Sequence, residues 1–328
     1  MENSDCQLSQ NWLGKITRRL SMAFLLTMSP LLYAYDLPTV NLGATSFLDG
    51  MPPAGTAKGW YFIQYLQNYD SEFFADSNGN KLPLPKTEAE LDIALTQVIY
   101  MSDIEILGGK LAIDVVQPTI LSETTDDGIG NLALSAKTGF GDLLVGPAIQ
   151  WDPVMGTNGP KYVNRLELQF ILPTGEYDSS KTINPSSNHW SFNPYWAGTA
   201  WLKPEMTFSW RLHYLYNGKN TNPSVSYGPG VNSVKPGQAV HGNLTALYRV
   251  NRAFAVGLNG YFLNQITDTE INGNKVSGRK EKVWAMGPGA VLSFSQHDHI
   301  FANLYFENDA ENRSEGDRLN IRWVHHFH

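Results

Sequence analysis

Cysteine is almost missing from this chain of 328 residues: the single one, Cys6, lies close to the N-terminus. Disulfides are excluded, and downstream of residue 6 there is neither a thiol nucleophile nor a thiolate ligand for metal. Charge is sparse, at 17% of residues, and tilts acidic, with a formal net charge of -7. Nothing forms the basic patch that a phosphate backbone would demand, so nucleic acid is excluded as a partner. Long apolar runs are lacking as well. Mean hydropathy is -0.27, too polar for a bundle of membrane helices, and only one window resembles a spanning segment.

That window is residues 20–34, preceded by Lys15, Arg18 and Arg19 and closed by Ala34. A basic flank, a short apolar run and a small residue at its end describe a secretory signal peptide, not a span. The reading divides the chain into a signal peptide over 1–34, a segment over 35–57 and one large domain over 58–328. Cleavage after Ala34 would remove Cys6 and leave a mature chain without cysteine, one unit more negative at -8.

What the chain does have is aromatic residues, 15 Tyr, 15 Phe and 9 Trp, beside 29 Gly and 18 Pro. That mixture suits many strands joined by turns. From about residue 58, segments of about ten residues alternate in polarity, the length and period of a strand crossing a bilayer. In 162–172, Leu166, Leu168, Phe170 and Leu172 oppose Arg165, Glu167 and Gln169. In 206–216, Met206, Phe208, Trp210, Leu212, Tyr214 and Tyr216 oppose Thr207, Ser209, Arg211 and His213. The segments 300–307 and 318–327 alternate in the same way. Eight less regular segments complete the set: 58–69, 89–101, 110–121, 141–151, 190–201, 240–250, 253–264 and 283–295. The pattern predicts an all-β transmembrane antiparallel barrel of about 12 strands. Long connections near 70–88, 122–140, 174–189, 217–239, 265–282 and 308–316 would lie outside the cell, and the short ones in the periplasm. A soluble β-sandwich is the competing architecture, but aromatics crowd the strand ends as they do in membrane girdles.

Between the strands, Gly141-Asp142-Leu143-Leu144-Val145-Gly146-Pro147, Leu172-Pro173-Thr174-Gly175-Glu176-Tyr177 and Phe192-Asn193-Pro194-Tyr195 occur in order. Leu42 to Gly50, followed by Pro52-Pro53-Ala54-Gly55, precedes them, and Pro236-Gly237 comes after. These motifs resemble those of the outer-membrane family of the meta-pathway of phenol degradation. The resemblance implies a barrel associated with aromatic-compound breakdown and a role in uptake. It names no catalytic residues and no cofactor.

The lumen should be lined by Arg165, Glu167, Arg211, His213, Arg249, Arg318, Arg322 and Asp142, with Asp114 and Glu307. These charges read either as a salt-bridged filling or as the polar wall of a permeation route. Ser209, His213 and His241 suggest a hydrolase only weakly, because Ser209 and His213 stand roughly 13 Å apart along one strand. His297, His299, His325, His326 and His328 lack the ordered carboxylates or cysteines of a metal site, and no cofactor is expected. Segment 35–57, rich in Gly and Pro but carrying Leu42, Phe47, Leu48 and Met51, is either a periplasmic tail or a plug folded into the lumen. The expected function is uptake of small hydrophobic, aromatic compounds across the outer membrane of a Gram-negative bacterium. A structural or adhesive barrel is the alternative, with a barrel hydrolase behind it. Expected partners are outer-membrane lipid, lipopolysaccharide, the barrel-assembly machinery and small apolar solutes.

Overall fold

The computed structural model describes residues 36–38, 40, 42–50, 58–128, 134–135 and 138–327. The leader expected over 1–34, the stretch 51–57 and His328 lie outside the described residues.

Twelve antiparallel strands close on themselves. They are β1 (Gly59–Phe74), β2 (Glu88–Ile106), β3 (Gly109–Asp126), β4 (Leu143–Gln150), β5 (Gly159–Glu167, continued by Phe170–Leu172) and β6 (Ser191–Phe192, continued by Tyr195–Lys203). They continue with β7 (Met206–Asn217), β8 (Ala239–Arg249), β9 (Phe254–Gln265), β10 (Lys282–Ser293), β11 (Asp298–Glu311) and β12 (Ser314–Phe327). Each pairs with its neighbour in sequence, and β1 pairs with β12 from Trp60↔Phe327 to Phe74↔Ser314, which closes the barrel. Closure removes every free edge, the condition for strands to sit in hydrocarbon. The breaks in β5 and β6 fall where proline cannot donate, at Pro147 opposite Leu168 and at Pro194 itself. Register runs unshifted through both gaps.

Side chains alternate as the pleat requires. On β7, Phe208, Leu212 and Tyr214 are exposed while Ser209, Arg211 and His213 are buried. Outward aromatics gather at two levels. Trp60 and Tyr100 meet at 4.7 Å near the short turns, and Phe170 and Phe192 at 4.9 Å near the long loops. This is the girdled belt of a membrane barrel.

All twelve segments anticipated from the alternation form strands. Several run further at the loop side than expected: β1 continues from 69 to Phe74, β3 from 121 to Asp126, and β11 and β12 meet across Asn312 and Arg313 alone. The long connection expected at 308–316 is therefore a tight turn, with Asn312 at φ 52°. Beyond the girdle the outward face is solvated, as at Asp70 and Glu72, so the apolar stripe stops while backbone pairing continues. Periodicity marks the belt, not the strand.

Candidate functional site

Twelve strands enclose more space than wall side chains alone can fill. The described part of the N-terminal segment, within 36–50, makes its contacts with the inward face of the wall at every level. Near the long loops, the Glu281 carboxylate accepts from the backbone N–H groups of Asp36 and Leu37, at 2.9 and 3.0 Å. Arg279 forks onto Asp36 there, at 2.9 and 2.6 Å. At mid-height the Gly43 carbonyl accepts from the Tyr305 hydroxyl at 3.0 Å and from Asn320 Nδ2 at 3.1 Å, and the Gly43 N–H donates to Asn243 Oδ1. Lower down, Arg322 reaches the Phe47 carbonyl at 3.4 Å and the Leu48 N–H donates to Ser209 Oγ. Near the short turns Gln150 Nε2 donates to the Gly50 carbonyl at 2.8 Å.

Two glycines make this path passable. Gly43, at φ 70°, lies so close to Tyr305 and Tyr261 that a Cβ would stand 2.8 Å from the first ring. Gly50, at φ 84°, abuts the backbone of Gly198, where a Cβ would come within 2.7 Å of its Cα. Both positive φ values and both close approaches select glycine.

The strongest contact is electrostatic. Asp49 accepts from Arg211 Nε at 2.7 Å and Nη2 at 2.6 Å, and Arg165 Nη2 stands 3.6 Å away. All three side chains are buried. Arg211 also lies over the Tyr195 ring at 4.1 Å and Arg322 over Phe301 at 3.8 Å. The cavity beside this cluster, lined by Phe47, Asp49, Tyr61, Tyr65, Arg211 and Arg322, is about 40 Å³, room for one or two waters.

Of the residues anticipated for the lumen, Arg165, Glu167, Arg211, His213, Arg318 and Arg322 are buried on inward positions, as are Asp114 and Glu307. Glu167 accepts from the Tyr195 hydroxyl at 2.5 Å, Asp114 from Gln97 at 2.6 Å, and Glu307 from Tyr69 and Tyr261 at 2.8 and 2.7 Å. Arg318 lies over Tyr69 at 4.9 Å. Two of the anticipated residues are elsewhere. Arg249 keeps the inward parity but falls at the short-turn end of β8, where it is exposed. Asp142 sits just before β4 at the loop-end rim, accepting from the N–H groups of Gly175 (3.1 Å) and Ser187 (2.9 Å). It pins loop 173–190 and joins two of the family-like motifs, Gly141-Asp142 and Thr174-Gly175, into one knot.

Ser209 is engaged with Thr199 Oγ1 at 2.8 Å and with the Leu48 N–H, while His213 and His241, paired across β7 and β8, stack at 4.1 Å. Neither histidine meets the serine. At the short-turn end His325 bonds Asp298 at 2.8 Å and His299 bonds Ser293 at 2.8 Å. Among the described residues no set of three or more His, Asp or Glu could hold a metal.

Asp36 and Asp49 went unnoticed in the sequence reading. A signal for them existed, because the buried inward strand positions carry four arginines (Arg165, Arg211, Arg318, Arg322) against three acids (Asp114, Glu167, Glu307), and a buried cation needs a partner.

Residues 73–323 match the family described as "Putative MetA-pathway of phenol degradation". No curated protein sequence matches the chain. Among solved structures, the fold is similar to that of an outer membrane channel from Pseudomonas putida F1, with a TM-score of 0.71 and 15% identity over 83% of this chain and 96% of that one. The CymD monoaromatic hydrocarbon channel is a weaker likeness, with a TM-score of 0.42 and 9% identity over 88% and 94% of the two chains. The translocator domain of the autotransporter NalP from Neisseria meningitidis is another, at 0.48 and 10% over 82% and 89%. These two are too distant to carry an argument.

Proposed function

The chain belongs to the MetA-pathway family of phenol degradation, and on that premise we propose that it is an outer-membrane channel of a Gram-negative bacterium for uptake of small hydrophobic, aromatic compounds, plugged at rest by its own N-terminal segment. The observation that carries this reading is the contact ladder from Asp36 to Gly50 inside a closed barrel. Hydrogen-bonded to the wall from Asp36 to Gly50, the segment obstructs the route. The element that can yield is the one not hydrogen-bonded into the sheet.

The wall's chemistry supports an aromatic permeant. Tyr61, Tyr65, Tyr69, Tyr195, Tyr261 and Tyr305 all point inward and are buried. With the segment displaced, their faces and those of Arg211 and Arg322 become stacking surfaces for a ring. Displacing the segment withdraws Asp49 from Arg165, Arg211 and Arg322, while Glu167, Asp114 and Glu307 stay hydrogen-bonded within the wall. Outside, lipid and lipopolysaccharide would solvate the belt, and the assembly machinery would receive the last strand.

The test is flux into liposomes holding the purified barrel, comparing a monoaromatic solute with a pentose of similar size. Faster entry of the aromatic, dependent on protein, is the expected result. Equal entry of both, or none above empty liposomes, would remove the aromatic assignment.

A further inference from the structure

The outward face is not uniform around the barrel. On β6 to β12 every outward position between the two aromatic levels is aliphatic, aromatic, Gly or Pro except His325, which lies beside the short turns and bonds Asp298. On β4 and β5 one polar residue, Asn164, interrupts that surface. Across β1, β2 and β3, however, Gln64, Thr96 and Gln117 stand side by side, since Gln64 pairs with Thr96 and Thr96 with Gln117. Gln64 lies four residues above the girdle residue Trp60 on the same strand, inside the belt.

These side chains are bonded to one another and to the backbone. The Thr96 hydroxyl donates to Gln64 Oε1 at 2.9 Å, Gln64 Nε2 to the carbonyls of Tyr65 and Leu95 at 3.1 and 3.2 Å, and Gln117 Nε2 to the Gly141 carbonyl at 3.0 Å. Each still holds oxygen lone pairs that hydrocarbon cannot serve, and polar groups in lipid carry a cost wherever a protein partner is not present.

We propose that the outer face of β1–β3 is the contact between two copies of this chain within the membrane. The inference rests on the membrane reading above. A second copy is the occupant that fits because the row is neutral and each member both donates and accepts. It is therefore complementary to itself across a two-fold axis, where a row of one charge would repel. The amides can exchange bonds between chains without losing any.

The experiment replaces Cys6 by Ser in the full chain, then introduces one cysteine at a time in the native outer membrane, Thr96→Cys against Leu258→Cys on the opposite wall. A short bis-maleimide should link Thr96→Cys into dimers and leave Leu258→Cys monomeric. Q64L/T96V should keep the heat-modifiable mobility of a folded barrel, while its dimer fraction falls about tenfold, the weight of one hydrogen bond in a membrane. Equal linking at both positions, or an undiminished dimer in Q64L/T96V, overturns the interface. Recovery of the chain with soluble proteins overturns the membrane reading itself, and the two failures are told apart by fractionation before linking.

Discussion

Asp49 and Arg211 are 162 residues apart in sequence and share a two-pronged salt bridge inside the barrel. One partner belongs to the N-terminal segment and the other to β7, so the bridge couples the only charge at the lower end of the segment to the wall. Three guanidiniums, of Arg165, Arg211 and Arg322, face that single carboxylate. Its removal leaves buried cations without compensation, a loss of about 3–5 kcal/mol when one member of a buried pair is deleted. Asp49→Asn should thus release the segment well before the barrel unfolds. Limited proteolysis in detergent should cut near residue 50 in the variant and spare the wild type, and D49N/R211Q should regain part of the protection. Equal resistance in D49N and wild type would show that the bridge does not hold the segment.

The segment's upper end depends on pH with the opposite polarity from an ordinary salt bridge. Burial raises the Glu281 carboxyl to about 7, with Arg313 opposing the shift, against an ordinary value of 4.5. Of what the segment brings to it, burial and the Asp36 carboxylate raise the Glu281 carboxyl while the N–H groups of Leu37 and Asp36 lower it, and the net shift is upward, so docking takes up a proton. The contribution to docking is complete below pH 4.5 and is lost as pH rises through about 7. Conductance in planar bilayers should therefore rise between pH 5 and pH 8, and Glu281→Gln should flatten that rise. A rise of the same size in the variant would assign the effect to another group.

The strands were legible because the bilayer imposes a period of two on each of them, and Phe208 to Tyr214 show it without ambiguity. Asn272 and Gly273 turn as their residue types dictate, at φ 51° and 82° respectively, the pair a two-residue hairpin selects. Strand length past the girdle was not legible, since Asp70 and Glu72 are outward residues of β1 that look like loop. The lumen was half legible. Parity placed Arg165, Arg211 and Arg322 inward, but it assigns nothing to a segment without secondary structure. Asp49 therefore had no visible partner until the fold brought it to them. Arg249 and Asp142 show the complementary error: parity gives a side chain's direction and says nothing about its height in the barrel.

Leu258 lies on the outer face of β9 between Phe254 and Phe262, and 65% of its surface is exposed. Arginine there should cost about 2–4 kcal/mol in folding into lipid vesicles, falling to about 0–1 kcal/mol for the same residue at the interface. Refolding titrations in urea compare Leu258→Arg with Phe254→Arg. Equal costs would mean that this face does not cross hydrocarbon.

The central claim is that the N-terminal segment closes the barrel, and it is tested most directly by single-channel conductance of the purified chain with residues 36–50 deleted and the leader kept. A folded barrel, established by heat-modifiable mobility, should conduct steadily where the full chain is closed for most of the record. It should also admit an aromatic solute and a pentose with less discrimination. A folded deletion variant with the conductance of the full chain would contradict the account, because the lumen would then be closed by the wall and not by the segment.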